Sequence, residues 1–539
     1  MPRPAALPRY ERDFEAPGRS MALGTECMAA TSHPLGTLTA LEILRAGGNA
    51  IDAAVAAAAV LGVVEPTQTG IGGDCFALYM PGGKGRIHAI NGSGWAAKAA
   101  SGERLRAEGL TTIAPTSPHA VTVPGAVATW ARLVAEHGRL GLAELLAPAI
   151  RVAADGYPVS ERLARDWRRQ VAKLAANDTA AALFLLDGAA PLAGERHRQT
   201  RLAAALRTIA AGGADAFYRG PITEDLVATI TGAGGLLTHE DFAEFVPEFV
   251  EPITATYRGH QLWECPPNGQ GLTPLLIAQI LEHFDLSALG PLSAERLHLI
   301  AEASRVGYAA RDALLGDPRA APVPLAALFD AANVQRLAGL IRRDARLPNL
   351  PPPLGPHHRD TVYLTVVDRD RNVVSFINSI FDDFGSGLVT PEYGIVLHNR
   401  GSGFVLERGH PNELAGRKRP LHTIIPAILT RDSRAVLAFG VTGGQFQPAG
   451  QIELLSNVLD HDLPLQAAID LPRIFARGDS FEVEARIPGA TLAALGALGH
   501  RISRAENPLG TAQAIRIDWE RGVLHGGADA RRDGLALGW

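Results

Sequence analysis

Two hydroxyls and a pair of glycines are the residues in this chain whose types and spacing could do covalent chemistry. Thr361 opens the run "TVYLTVVD", in which Thr361, Tyr363 and Thr365 alternate with Val362, Leu364 and Val366, the period of two that a β-strand requires. The turn "DRDRN" follows, and "NVVSFINS" reads as the returning strand. A hairpin centred on Asp370 sets Val367 opposite Val373 and Thr361 opposite Ser379, so that one hydroxyl faces another. Spacing alone leaves two readings open. In one, Thr361 is a β-branched strand opener and Ser379 its polar cross-strand mate. In the other, the chain is cut just before Thr361, and the freed α-amine becomes the general base for the residue's own hydroxyl. An α-amine with a reference pKa of about 7.7 to 8.0 serves as a base near neutrality without a histidine, and the β-methyl group of threonine helps aim the hydroxyl.

The elements around this hairpin favour neither reading outright but make the second feasible. Upstream, residues 343–360, "RDARLPNLPPPLGPHHRD", carry prolines that forbid helix and central strand and predict an exposed, extended linker, with His357 and His358 solvated within it. Downstream, Gly443 and Gly444 in "GVTGGQFQP" follow the strand-like "AVLAFGV"; they read as a tight turn or as two backbone N–H groups that nothing screens from a substrate. The N-terminal "HPLGTLTALEILRAGGNAIDAAVAAAAVLGVVEP" predicts two consecutive buried helices, broken at Gly47 and Gly48 and ended before Pro66. Residues 87–330 read as mostly helical. Beyond the linker the texture turns β-rich, with "GIVLHN" and "FEVEA" among the expected strands and a helix near "QIELLSNVLDHD".

Composition narrows the class. With 539 residues and 47% hydrophobic content the chain has ample core, and a net charge of -5 with interspersed signs offers no basic stripe for nucleic acid. The three cysteines, Cys27, Cys75 and Cys265, lie far apart and show no metal or disulfide spacing. The first residues lack the apolar run of a secretory signal, and "AIDAAVAAAAVLGVV" is too short and too polar to cross a membrane, so a cytoplasmic protein with no membrane partner is expected. His298 and Glu302 fall four apart on a predicted helix with no third ligand evident, and "TGIGGD" lacks dinucleotide spacing; the expectation is no metal and no cofactor.

In order along the chain, "ATSHPLGTLTALEILRAGGNAIDAAVAAA", "EPTQTGIGGDCF", "VTVPGAVATW", "LLAPAIRVAADGYPVS", "AEASRVGYAARDALLGDP" and above all "DTVYLTVVDRDRNVVSFINSIFDDFGSG" resemble the γ-glutamyltransferase family of N-terminal-nucleophile hydrolases, from about residue 20 to 520. The resemblance implies an α/β fold, a four-layer αββα sandwich formed jointly by two processed chains. It implies cleavage between Asp360 and Thr361 into a large chain, 1–360, and a small chain, 361–539, which form a heterodimer, with a dimer of heterodimers also open. Thr361 would be the nucleophile, Ser379 the supporting hydroxyl, and Gly443 and Gly444 the oxyanion-hole amides.

The chain departs from the family where γ-glutamyl substrates are held. Ser93 in "INGSGWAA" stands at the place of the arginine that binds the α-carboxylate, and Gly403 in "NRGSGF" at that of the aspartate that binds the α-amine. Arg400 replaces a glutamine, His422 and Thr423 in "RPLHTIIP" replace paired serines, and Phe381 replaces an asparagine near the nucleophile. A hydroxyl cannot make a bidentate pair with a carboxylate. Arg400 either clamps a substrate carboxylate or is a structural arginine tied to Asp382 or Asp383; His422 is a pocket hydrogen-bonder, a weak proton shuttle or a satisfied structural histidine. These changes point to a small amide that is not γ-glutamyl, such as an oxamate-like one. A genuine glutathione hydrolase or transpeptidase is the alternative, and an unprocessed, inactive binding protein is another, because Val362 and Tyr363 replace the more usual polar residues after the nucleophile.

Overall fold

The computed structural model describes residue 15, residues 18–348, residue 350 and residues 361–539. Asp360, His357, His358 and most of the proline-rich segment therefore lie outside the described residues. The part of that segment that is described, 343–348 and 350, contains neither helix nor strand.

The first predicted helices form where the sequence puts them, at Pro34–Arg45 and Ala50–Val64. Asn49 caps the second: its side chain accepts from the N–H groups of Ile51 and Asp52, and Asp52 accepts in return from the Asn49 N–H. Every residue of Ala50–Val64 is buried, which explains a helix apolar on all sides.

Two antiparallel seven-stranded sheets, flanked by helices, make up the body. One runs Leu535–Gly538, Met28–Thr31, Val362–Val367, Val373–Ser379, Asp74–Met80, His88–Asn91, Glu248–Val250. The other runs Ala22–Gly24, Val523–Ala528, Ala512–Asp518, Arg434–Val441, Ala427–Arg431, His260–Glu264, Ile253–Tyr257. The hairpin register follows the sequence expectation, with Val367 opposite Val373 and Val362 opposite Asn378.

Alternation then sorts the side chains. Val362, Leu364 and Val366 pack with the helices Ala50–Val64 and Leu142–Asp155, whereas Tyr363 and Val367 join Phe76, Ile428, Ala438 and Ile515 in a cluster between the two sheets. Each buried Val or Leu of this kind contributes about 1.5 to 3 kcal/mol, so the central hairpin is held from both faces. The outer face of the second sheet is covered by Leu272–Leu281, Ala294–Leu314 and Gln447–Leu459.

One expected strand is absent. "GIVLHN" forms only a bridge between Val389 and Val396, because Gly394 turns at φ 64 and the His398 N–H is drawn to the Gly72 carbonyl instead of a neighbouring strand. Among the described residues, no helix is long and apolar enough to cross a membrane.

Candidate active site

Three adjacent strands place three polar residues in one row. Ser379 pairs directly with Asp74 on its far side, and the hairpin register brings Thr361 against it on the near side. Cross-strand neighbours share a face, and this face looks between the sheets at one end of the body. Thr361 Oγ1 lies 3.1 Å from Ser379 Oγ, which also accepts the Phe381 N–H at 2.9 Å. The Thr361 N–H donates to Gln68 Oε1 at 3.0 Å. All of these groups are buried.

The approach of the third strand depends on glycine. A Cβ on Gly73 would lie 2.2 Å from the Ser379 carbonyl oxygen, so the "GIGGD" stretch brings Asp74 in where no side chain would fit.

Gly443 and Gly444 leave the second sheet directly after Arg434–Val441. Both have positive φ, 114 and 57, and Gly444 opens the helical turn Gly444–Phe446, where an N–H has no intrahelical acceptor. Gln270 Nε2 donates both to the Gly444 carbonyl and to that of Thr423, tying the glycine turn to the segment before Ala427–Arg431. A cavity of about 520 Å³ opens beside this corner, lined among others by Gln170, Asp382, Asp383, Thr442, Gly510 and Thr511.

Beyond Ser379 the row ends in a buried charge cluster. Asp74 Oδ2 lies 3.0 Å from His422 Nε2, 3.3 Å from His398 Nδ1 and 3.4 Å from Arg400 Nε. Burial alone would raise the Asp74 carboxyl, but His398 and His422 hold it well below the usual carboxylate range. Burial, reinforced by Arg400, pushes His422 down to about 3. His422 is therefore neutral at ordinary pH: its Nε2–H donates to Asp74 and its ring stacks on Phe76 at 4.6 Å. These contacts are those of a buried, hydrogen-bonded histidine.

Arg400 is also fully buried, which brings it down to about 10 against the pull of Asp74. Its NH1 donates to Thr423 Oγ1 at 2.8 Å and its guanidinium lies 4.2 Å above the Phe381 ring, but NH2 has no hydrogen-bond partner among the described residues. Its acidic neighbour is Asp74, not Asp382 or Asp383 as the structural alternative had it. The reason is topological: those two side chains turn toward Lys173, Gln68 and Gln170.

The remaining substitutions gather around the same cluster. Ser93 Oγ accepts from Asn268 Nδ2 at 3.0 Å, and the Asn268 carbonyl takes the His422 N–H. Gly403 ends the turn Arg400–Gly403, its carbonyl held by Asn412 Nδ2.

Sequence reasoning gave no role to Gln68, Asp74 or His398, and gave Asp383 only that of an alternative partner for Arg400. The signal for the first two was a glutamine and an aspartate bracketing "TGIGG", within a stretch already singled out as a landmark. His298 and Glu302 do gain a third neighbour, His500, which contacts His298 Nδ1 at 2.7 Å. Arg305 NH1 lies 2.8 Å from Glu302 Oε1, and the other carboxylate oxygen accepts the Leu347 N–H.

With this geometry in view, comparison with known proteins is direct. Residues 36–539 match the family described as Gamma-glutamyltranspeptidase. The chain is 37% identical over 525 residues to the glutathione hydrolase-like YwrD proenzyme of Bacillus subtilis, covering 96% of this chain and 99% of that one. It is 36% identical over 535 residues to the oxamate amidohydrolase proenzyme of Klebsiella pneumoniae, covering 96% and 100%. The crystal structure of cephalosporin acylase from Bacillus halodurans superposes with a TM-score of 0.91 at 37% identity, covering 99% of each chain. A match spanning nearly the whole chain, in sequence and in fold, makes this protein an N-terminal-nucleophile hydrolase that belongs to the gamma-glutamyltranspeptidase family.

Proposed function

We propose that the chain is an autoprocessing amidohydrolase in which Thr361 attacks a small acyl amide through an acyl-ester intermediate. The observation that carries this reading is the Thr361 corner: a hydroxyl 3.1 Å from a second hydroxyl, on a residue whose own nitrogen is held by Gln68. Cleavage between Asp360 and Thr361 turns that nitrogen into an α-amine, and the large chain 1–360 and small chain 361–539 stay together as one αββα sandwich. The relatives named as proenzymes support the processing.

In turnover, the proton of Thr361 Oγ1 passes to the α-amine as the oxygen bonds the carbonyl carbon. The N–H groups of Gly443 and Gly444 receive the oxyanion, and Ser379 steadies the attacking oxygen. The departing amine takes the proton, and water then releases the acyl group. No cofactor enters these steps.

The acyl group is short, and its far end is a carboxylate. A buried guanidinium with one nitrogen unpartnered is costly, and an anion on NH2, flanked by Thr423 and the Phe381 ring, repays it. Ser93 and Gly403 offer neither the cation nor the anion that a γ-glutamyl group needs, so glutathione is a poor substrate in this reading.

The test is a panel on fully processed enzyme: oxamate, other short acyl amides with and without a carboxylate, a γ-glutamyl anilide and glutathione. The expected result is turnover of the carboxylate-bearing short amides. Efficient γ-glutamyl turnover with none on the others supports a genuine γ-glutamyltransferase instead, and an intact chain with no turnover at all supports an inert binding protein.

A further inference from the structure

We infer that Asp383 is a positioning residue for the general base, acting on the Thr361 nitrogen through Gln68. The inference rests on the reading above, in which the freed Thr361 amine takes the hydroxyl proton. It concerns a side chain that reaches the amine through Gln68.

A carboxamide has two faces that differ only in hydrogen-bond sense. Gln68 turns Oε1 to the Thr361 nitrogen at 3.0 Å, and its Nε2 donates to Asp383 Oδ1 at 2.7 Å and to Thr67 Oγ1 at 3.3 Å. In the opposite orientation an amide N–H would point at the amine and donate into the lone pair that must receive the proton. A carboxylate only accepts, so Asp383 forbids that orientation. Oε1 then holds one N–H of the amine and leaves the lone pair for Oγ1.

Asp383 is itself fixed. Its Oδ2 accepts from Gln170 Nε2 at 3.2 Å, its carbonyl accepts from Lys173 Nζ at 2.6 Å, and Lys173 also reaches the Gly385 carbonyl at 3.3 Å. The segment turns through positive φ at Phe381 and Phe384, 79 and 54, which aims the Asp383 side chain back toward Gln68. Thr361 and Asp383 fall on the small chain, whereas Gln68, Gln170 and Lys173 fall on the large one. The relay therefore couples the base to the partner chain after cleavage.

Among the described residues, the charged groups facing this corner are Asp382, Asp383 and Lys173, Asp74 with Arg400 beyond Ser379, and, lining the cavity, Arg162, Asp166, Arg169, Arg477, Glu482, Arg504, Glu506 and Arg532. Asp383 reaches the amine through a single hydrogen-bonded side chain, Gln68. Its hydrogen bond to Gln68 Nε2 fixes and polarises the carboxamide so that Oε1 accepts from the ammonium form, so breaking that link moves the acidic limb of the kcat/KM profile to lower pH.

The experiment measures that limb on processed enzyme for Asp383→Asn, Asp383→Glu, Gln68→Ala and the double variant Asp383→Asn with Gln68→Ala. Asp383→Asn is expected to lower kcat more than it changes KM and to move the limb down by about one pH unit. Asp383→Glu restores part of both, and Gln68→Ala gives the same shift, which the double variant does not enlarge. A wild-type limb in Asp383→Asn, or shifts that add in the double variant, overturns the relay. Should Asp383→Asn fail to mature, Gln68→Ala decides alone, since an unmoved limb there overturns it too. An enzyme that shows no acidic limb at all, or that works without the Thr361 hydroxyl, refutes the underlying reading and not merely the relay.

Discussion

The two ends of the row that crosses Thr361, Ser379 and Asp74 are built on different physics. At the Thr361 end the groups that touch the nucleophile among the described residues, Ser379 and Gln68, are neutral, and position is set by strand register, by two hydroxyls and by a carboxamide. At the Asp74 end an aspartate, two histidines and an arginine, drawn from three segments, are fully buried around one carboxylate oxygen. The first arrangement is insensitive to what the substrate is. The second is not, because a desolvated charge tolerates only its complement. The contrast teaches that, in this fold, topology holds the bond-breaking groups in place while the choice of substrate is free to change.

The strongest way to break that contrast is at the neutral end. Thr361→Ala is expected to stop both maturation and turnover, leaving a single band on a denaturing gel, whereas Thr361→Ser retains some of each. If the alanine variant were still cut at the same bond, an external protease would have to be sought.

At the charged end, Arg400→Met keeps the bulk and removes the cation. Loss of a charged partner from a desolvated site costs about 2 to 5 kcal/mol, so kcat/KM for a carboxylate-bearing amide should fall roughly thirty- to several-thousand-fold, while maturation proceeds. Equal losses on amides without a carboxylate would make Arg400 merely structural. Smaller again is Ser379→Ala, which removes one hydrogen bond to the attacking oxygen and is expected to slow turnover by roughly ten- to a hundred-fold without abolishing it.

The mildest effect sharpens the comparison through pH. His422 is held at about 3 in the native protein against an ordinary 6.5, so below 6.5 the unfolded chain takes up a proton that the native chain refuses. Its contribution to stability is full above pH 6.5 and is lost as pH falls toward 3, with a slope of up to about 1.4 kcal/mol per pH unit. Denaturant unfolding of His422→Gln should therefore lose less stability than the parent over that window, and parallel curves would contradict the neutral histidine. A matching substitution at the Thr361 end has no such signature.

The same contrast decides what could be read from the sequence. Thr361 facing Ser379 was legible because alternation and a turn fix a hairpin locally, and the twin helices Pro34–Arg45 and Ala50–Val64 were legible from periodicity and a glycine break. The charge cluster was not. Asp74 sits in a strand of otherwise apolar residues, His398 lies in a stretch that reads as a strand but is diverted by Gly72, and Arg400 had two acids nearby in sequence that the fold turns away. Gln68 and Asp383 are separated by 315 positions, and His298 and His500 by 202, distances at which no local pattern carries information. Gly443 and Gly444 were singled out by resemblance, and their positive φ explains why glycine stands at both positions of that turn.

The central claim is that Thr361 becomes a chain terminus and that its own hydroxyl then does the chemistry. N-terminal sequencing and intact-mass measurement of the purified protein after long incubation test it most directly. The account predicts two fragments, one ending at residue 360 and one beginning Thr-Val-Tyr and running to Trp539, with amide hydrolysis appearing in step with their formation. A small fragment with any other first residue, or full activity from a chain that stays uncut, would contradict it.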